Sequence, residues 1–485
     1  MYRLLQADEV TQITPHDRLR PMVRIALLLV ASHLGFAADW PAFRGPNSAG
    51  VSDSASLPVE FGPSKNMVWK TALPAGHSSP VIVGNRIWVT GFDETRLFVI
   101  ALDRDTGRVA WRREIERPRK QELHKSNSPA SPSVATDGKN VYAFFTDFGL
   151  VSYGSDGEER WRLPLGPFNN PFGMGASPLY VDGKILQNCD SETGSFLIAV
   201  DAKTGKQVWR VERPDFTRGF STPVLWRSQV LIPGTNRLIA YDPRTGKEIW
   251  WIRGLTWQLK PTPAVDGDTA YVLGWAGGAD QGNQESLPEF TEVLKTLDKD
   301  GDRRLTPAEV VEPRMQKDFK EADLDLDGYL GARDWEKYRG KRASVNSVMA
   351  VKLGGDGDMT DKSILWQHYK SLPNVPSPVF YKGVVYLMKE GGILTALDAA
   401  SGKVVKQGRL PGALDYYYAS PVAGDGKLYV TSQEGHISVI RAGADWEVLT
   451  RNDMDDETFA TPALLDGKVY VRTRSALYCF GAPAQ

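Results

Sequence analysis

Two acidic runs near the middle of the chain carry the clearest chemistry. Residues 298–309 read Asp-Lys-Asp-Gly-Asp-Arg-Arg-Leu-Thr-Pro-Ala-Glu, and residues 323–334 read Asp-Leu-Asp-Leu-Asp-Gly-Tyr-Leu-Gly-Ala-Arg-Asp. Oxygen donors at positions 1, 3, 5, 7, 9 and 12 can wrap a hard cation such as calcium. In the first run these are Asp298, Asp300, Asp302, the Arg304 carbonyl, Thr306 and Glu309. In the second they are Asp323, Asp325, Asp327, the Tyr329 carbonyl, a water beside Gly331, and Asp334. A metal-free acidic hairpin is the plain alternative, but two complete runs 25 residues apart argue against it. Calcium is therefore the expected cofactor.

Helical patterns flank both runs, which resemble the loops of an EF-hand pair. Ser286-Leu-Pro-Glu289 and Thr306-Pro-Ala-Glu309 read as capping boxes, the first leading into an apolar stripe of Phe290, Val293, Leu294 and Leu297. Phe319 and Trp335 are expected to pack the second hand, and Leu305 and Leu330 to form a β-bridge between the loops. Two departures matter. Arg303 stands where the sixth position favours glycine and a positive φ, at a cost of about 1 kcal/mol. Asp334 replaces the longer glutamate that grips calcium with both oxygens. Both imply modest affinity and tolerance of magnesium.

The acidic unit interrupts a repeat. A Ser/Thr-Pro pair opens a short strand eight times: Ser79-Pro80, Ser131-Pro132, Ser177-Pro178, Thr222-Pro223, Thr262-Pro263, Ser377-Pro378, Ser420-Pro421 and Thr461-Pro462. Hairpin dipeptides such as Asp182-Gly183 and Asp466-Gly467 follow most of them. A β-branched and aromatic run comes next, then a strand ending in an Asp-x-x-Thr-Gly turn, then a strand with tryptophan. Those tryptophans (Trp69, Trp111, Trp161, Trp209, Trp250, Trp366 and Trp446) are expected to pack between neighbouring units.

Four short strands per unit of this length is the period of a β-propeller blade. The fold predicted is an all-β eight-bladed propeller. From Pro263 to Pro378 the spacing is 115 residues, leaving about 70 beyond one blade. The surplus is a small α-helical EF-hand insertion inside blade five. The last copy lacks its Trp strand, and Met67-Val68-Trp69-Lys70 is an orphan of that type, so an N-terminal strand should close blade eight. The expected division is 1–37 extension and export signal, 38–274 and 344–483 propeller, and 284–341 insertion.

The Ala-x-Asp-x-x-Thr-Gly-Lys-x-x-Trp units resemble the PQQ-type, or quinoprotein-like, propeller repeat over most of residues 40–483. Trp40-Pro-Ala-Phe43-Arg44-Gly45-Pro46, His124-Lys-Ser-Asn127 and Asn188-Cys189-Asp190 are similar to the exported bacterial PQQ-binding-like subgroup. This resemblance implies the fold and leaves activity open, because such blades serve both enzymes and non-catalytic assembly scaffolds.

Quinoprotein dehydrogenases of this fold carry adjacent cysteines over the quinone. Here Cys189 and Cys479 lie 290 positions apart and no haem-attachment motif occurs. A PQQ-dependent dehydrogenase is thus the weaker alternative, and no Gly-x-Ser-x-Gly or His-Glu-x-x-His motif supports a hydrolase. The stronger reading is a non-catalytic exported propeller that binds a protein or small ligand.

Charge and composition narrow the partners. With 58 basic and 59 acidic side chains, the net charge of −1 supplies no field to recruit nucleic acid. The apolar stretch from Ile25 to Ala37 is 13 residues, too short to span a bilayer and suited to a signal peptide starting at Met22. A periplasmic or secreted monomer is expected. Its ligand mouth should lie where the loops before each Ser/Thr-Pro pair converge, bringing together His77, His124, Asn127, Arg218, Lys260 and Tyr417.

Overall fold

The computed structural model describes residues 39–481; the export signal expected from Met22 lies outside them. Eight β-sheets form the eight blades of the propeller. Blade one shows the pattern, with Val81–Val83 innermost, then Arg86–Phe92, Arg96–Asp103 and Val109–Glu116 outermost, all antiparallel. The ring closes as the sequence predicts. Met67–Ala72 pairs with Ala476–Gly481, setting Trp69 opposite Cys479, and so supplies the outer strand of blade eight. That pairing removes an exposed edge from the last sheet.

The repeat residues explain why neighbouring blades hold together. Trp69 donates its indole N–H to the Arg104 carbonyl (3.0 Å), Trp111 to Ser155 (2.8 Å), Trp161 to Ala202 (3.0 Å), Trp209 to Pro243 (3.1 Å) and Trp366 to Ala399 (3.0 Å). Each carbonyl belongs to the outer turn of the next blade. The glycine in that turn lets the ring lie flat against it: a Cβ on Gly205, at φ +70°, would sit 2.6 Å from Trp161. Trp250 departs from this role and bonds Gln229 within its own blade (2.8 Å). Blade five lacks the matching turn, since its chain detours through Gly357–Asp358 to pair with Glu248–Arg253 of blade four. Trp226 docks there instead, on the Gly267 carbonyl (3.0 Å).

Within blade five, Thr269–Gly274 and Ser347–Lys352 are hydrogen-bonded neighbours, and the inserted unit leaves between them. It holds α1 (Phe290–Leu297), α2 (Pro313–Ala322) and α3 (Ala332–Ala343). Phe290, Leu305, Phe319, Leu330 and Trp335 form its own core. Two expected helix starts are corrected. Glu289 precedes α1 without making a side-chain cap, and Thr306–Glu309 closes a single turn. For the second the reason is Pro313: the residue before a proline avoids helical backbone, and Glu312 is extended at φ −72°, ψ 122°. Glu312 then caps α2 through the Arg314 and Met315 N–H groups.

One segment has no place in the repeat. Residues 39–52 thread the axial channel against the innermost strands. Trp40 exchanges backbone bonds with Ile82 of blade one (2.7 and 2.8 Å), and Val51–Ser52 runs parallel to Val422–Gly424 of blade seven. Between them, Arg44 is fully buried and donates to the Pro378 carbonyl of blade six (2.6 Å). Burial with no carboxylate beside it lowers the Arg44 guanidinium to about 9. The segment is a plug that enters the channel, turns and comes back.

Candidate functional site

Every innermost strand starts at the same mouth, where the Ser/Thr positions of the repeat form a closed ring. The backbone N–H of Ser79 donates to the Ser133 hydroxyl (2.9 Å), Ser133 to Ser177 (3.0 Å), Ser177 to Thr222 (3.1 Å) and Thr222 to Thr262 (3.3 Å). Thr262 continues to Ser377 (3.0 Å), Ser377 to Ser420 (3.0 Å), Ser420 to Thr461 (3.0 Å) and Thr461 back to Ser79 (2.9 Å). In blade two the ring uses Ser133, two residues beyond the Ser131 expected from the repeat. Each hydroxyl spends a lone pair on the ring and keeps its own proton to donate.

Above the ring lies a cavity of about 280 Å³. Phe43, from the axial plug, lines it together with His77, His124, Asn127, Phe172, Phe220, Lys260, Asn374, Tyr418 and Phe459. His77 stacks on Phe459 at 4.0 Å, and Phe459 on Tyr418 at 5.3 Å. Burial, with the charges of Arg472 and Arg474 nearby, pushes His77 down to about 3, so it is neutral at ordinary pH. His124 is exposed, with Nδ1 2.8 Å from the Ser126 hydroxyl. Asn127 holds the Phe172 carbonyl. Lys260 reaches Gln258 (3.0 Å) and the Trp275 carbonyl (3.1 Å), and burial pushes it down to about 7. No carboxylate lines this cavity among the described residues.

Two expected mouth residues are corrected. Tyr417 is 5 % exposed and packs into the core between blades six and seven. Side chains alternate along this run, so Tyr416 and Tyr418 share the other face, stacked at 6.5 Å, with Tyr418 lining the cavity and Tyr416 exposed beside it. Arg218 turns away from the mouth to pair with Glu192, with Phe172 and Trp257 rings at 5.8 and 5.7 Å. Phe43 and the Ser133 frame are what the sequence reading missed. The aromatic-glycine run at Trp40–Gly45 was the available signal for the first.

The second candidate site is the loop pair. Carboxylate oxygens of Asp298, Asp300 and Asp302 lie within 4.8 Å of one another, as do those of Asp323, Asp325 and Asp327. Leu305 and Leu330 exchange backbone bonds of 3.1 and 2.9 Å, which couples the loops back to back. Arg303 adopts φ +65°, the left-handed turn that its position demands. Thr306 N–H (2.8 Å), with help from Lys299 N–H (2.9 Å), holds the Glu309 carboxyl down to about 2. The Thr306 hydroxyl also donates to it (2.8 Å). In loop two, Asp334 accepts from Gly331 N–H (3.0 Å) and Leu324 N–H (3.2 Å), while burial raises its pKa. The Arg304 guanidinium lies 3.6 Å from Asp302 and 3.9 Å from Asp327, over the Tyr329 ring. Each loop thus brings three aspartates together, while Glu309 and Asp334 accept from backbone N–H groups of their own loops and stand outside those clusters.

A third cluster was not anticipated: Asp415 and Glu434 on loops and His436 at the start of strand His436–Arg441 bring donor atoms within 4.8 Å of one another. The His436 Nε2 already faces Asp453 at 3.3 Å.

The family model described as outer membrane protein assembly factor BamB matches residues 48–172 and 193–482. A relative of that name from Burkholderia pseudomallei is 24% identical over 417 residues, covering 80% of this chain and 92% of the relative. Another, from Alkalilimnicola ehrlichii, is 29% identical over 200 residues, 41% of this chain, and the match spans 49% of its length. Among solved structures, BamB from Moraxella catarrhalis aligns with a TM-score of 0.55 at 13% identity, over 86% of this chain and 99% of that one. A europium-containing methanol dehydrogenase aligns with a TM-score of 0.59 at 11% identity, over 92% and 98%. At these identities the structural matches establish the propeller fold and nothing further.

Proposed function

The chain belongs to the PQQ_2 family, described as outer membrane protein assembly factor BamB, and from that premise we propose an exported, non-catalytic propeller that captures a partner at its hydroxyl-ring mouth. The observation that supports this best is the chemistry of the 280 Å³ cavity. It offers hydroxyl donors, stacked aromatic rings, neutral His77 and Lys260, which suit recognition of a protein segment or a small ligand. Among the described residues no carboxylate lines it. The relatives' name points to outer membrane proteins, or the proteins that assemble them, as the partner class.

The mouth also fits poorly with PQQ. A quinone that works beside a divalent cation needs anionic ligands for that cation, and none lines the cavity among the described residues. The two cysteines are free, buried and in different blades, three and eight. Replacing His124, Lys260 and Phe459 together by alanine is expected to abolish partner capture in a pull-down from the periplasmic fraction. The melting temperature should fall by only a few degrees, because all three line the cavity surface. Undiminished capture by the triple variant would place the docking surface elsewhere.

We further propose that the loop pair binds calcium as a structural ion. Six aspartates crowd the two loops, and a divalent ion relieves their mutual repulsion. Titration calorimetry should detect calcium binding, and the transition of the inserted unit should move up with calcium concentration as linkage requires. Asp300→Asn together with Asp325→Asn should remove both effects while the propeller stays folded.

A further inference from the structure

A second cleft, of about 710 Å³, lies between the inserted unit and the loops of blades one to four. Its floor is apolar, built from Pro167, Phe168 and Leu324, and Leu326 stands 66 % exposed at its edge. Its rim is cationic. Arg119 and Lys120 come from the propeller, and Lys317 and Lys320 from α2. Arg119 spends one N–H on the Leu165 carbonyl, and none of the four makes an ion pair with a described residue.

The acids that line the cleft are differently placed. Glu192 is matched by Arg218, and Glu321 by Lys341 at 2.7 Å. That leaves Asp323, which opens loop two. Asn170, 1 % exposed and part of the wall, has an amide Nδ2 with no partner among the described residues. A buried donor without an acceptor is unfavourable, so it is a place where a ligand oxygen gains.

We propose that this cleft binds an acidic peptide segment carrying an apolar side chain, and that it does so when loop two holds its cation. The second half rests on the calcium reading above. Four unpaired cations ringing an apolar floor match a segment that alternates carboxylates with a buried anchor, since charges spread along a rim serve an extended ligand. Asp323, Asp325 and Asp327 oppose such a ligand while they are bare. A bound divalent ion neutralises them. It also fixes the Leu324 wall, whose carbonyl already accepts from Asn169 Nδ2 (3.1 Å).

The test is fluorescence anisotropy with a labelled short peptide of Asp and Glu around one Phe, on the full chain, in calcium and in chelator. Calorimetric calcium titration runs on the same preparation. Saturable binding in calcium, weakened about tenfold or more by chelator, is expected. Lys317→Glu with Lys320→Glu, both on the exposed face of α2, should weaken it about tenfold or more. Lys120→Glu repeats the test from the propeller side, independent of α2. Peptide affinity unchanged in both variants, or an equally tight Lys-rich peptide, overturns the cleft. Calcium binding without peptide binding overturns the cleft and leaves the calcium reading standing. Equal peptide binding in both buffers with no calcium uptake overturns the calcium reading and the dependence on it.

Discussion

Asp190→Ala is expected to cost about 3–5 kcal/mol of stability, because it strands a buried arginine. Arg213 is 1 % exposed, and its Nε and Nη2 meet the two Asp190 oxygens at 2.7 and 3.0 Å. Nη1 donates to the Tyr241 hydroxyl, and the guanidinium lies 3.8 Å from the centre of the Phe216 ring. Burial is the largest single influence and lowers the Arg213 pKa; the Asp190 charge and hydrogen bond, together with Tyr241 and Glu248, outweigh it and hold the pKa above its ordinary value. Removing the carboxylate leaves the desolvation cost and takes away what offsets it. A shifted urea midpoint with unchanged slope is the signature to measure. Asp190→Leu with Arg213→Met should recover much of the loss, since an apolar pair of similar volume carries no stranded charge. If Asp190→Ala costs less than about 1 kcal/mol, water reaches this pair and its burial has been overstated.

Asp190 also shows how much could be read beforehand. The Asn188-Cys189-Asp190 run stood out in the sequence, but its partner lies on the far side of a hairpin and no spacing rule finds it. Local devices were legible. Asp-Gly hairpins, the tryptophan strands and the missing eighth outer strand each follow from one segment and its repeat copies. The two loops, their Leu305–Leu330 bridge and their helices were legible for the same reason, since each lies within one short segment. What escaped depends on which face of an irregular segment turns inward. Tyr416, Tyr417 and Tyr418 are identical in type, and only the backbone direction sends Tyr418 to the cavity and Tyr417 to the core. Arg218 precedes the fourth ring position as the mouth reading requires, yet Glu192 draws it toward the inserted unit. The 710 Å³ cleft joins segments more than 100 residues apart. Pairing of that kind is set by tertiary packing alone.

The axial plug had a sequence signal and no readable position, and it leads to the second large effect. Trp40→Ala should cost about 3–5 kcal/mol, the range for emptying a buried aromatic site. Trp40 is 1 % exposed, and the chain folds back on it so closely that a Cβ on Gly45 would lie 2.5 Å from the indole. Gly45 has φ +71°, so the turn that brings Arg44 and Pro46 across the channel needs both the small residue and the ring beneath it. The backbone bonds to Ile82 would survive the substitution, but the contacts that pin the turn would not. Phe43 lines the mouth from this same turn, so capture at the mouth should weaken together with stability. Phe43→Ala separates the two. Phe43 is only half-buried, so its loss should reduce capture while the urea midpoint moves little. Should Trp40→Ala leave both midpoint and capture in place, the segment would be a drape across the channel and the mouth would owe nothing to it.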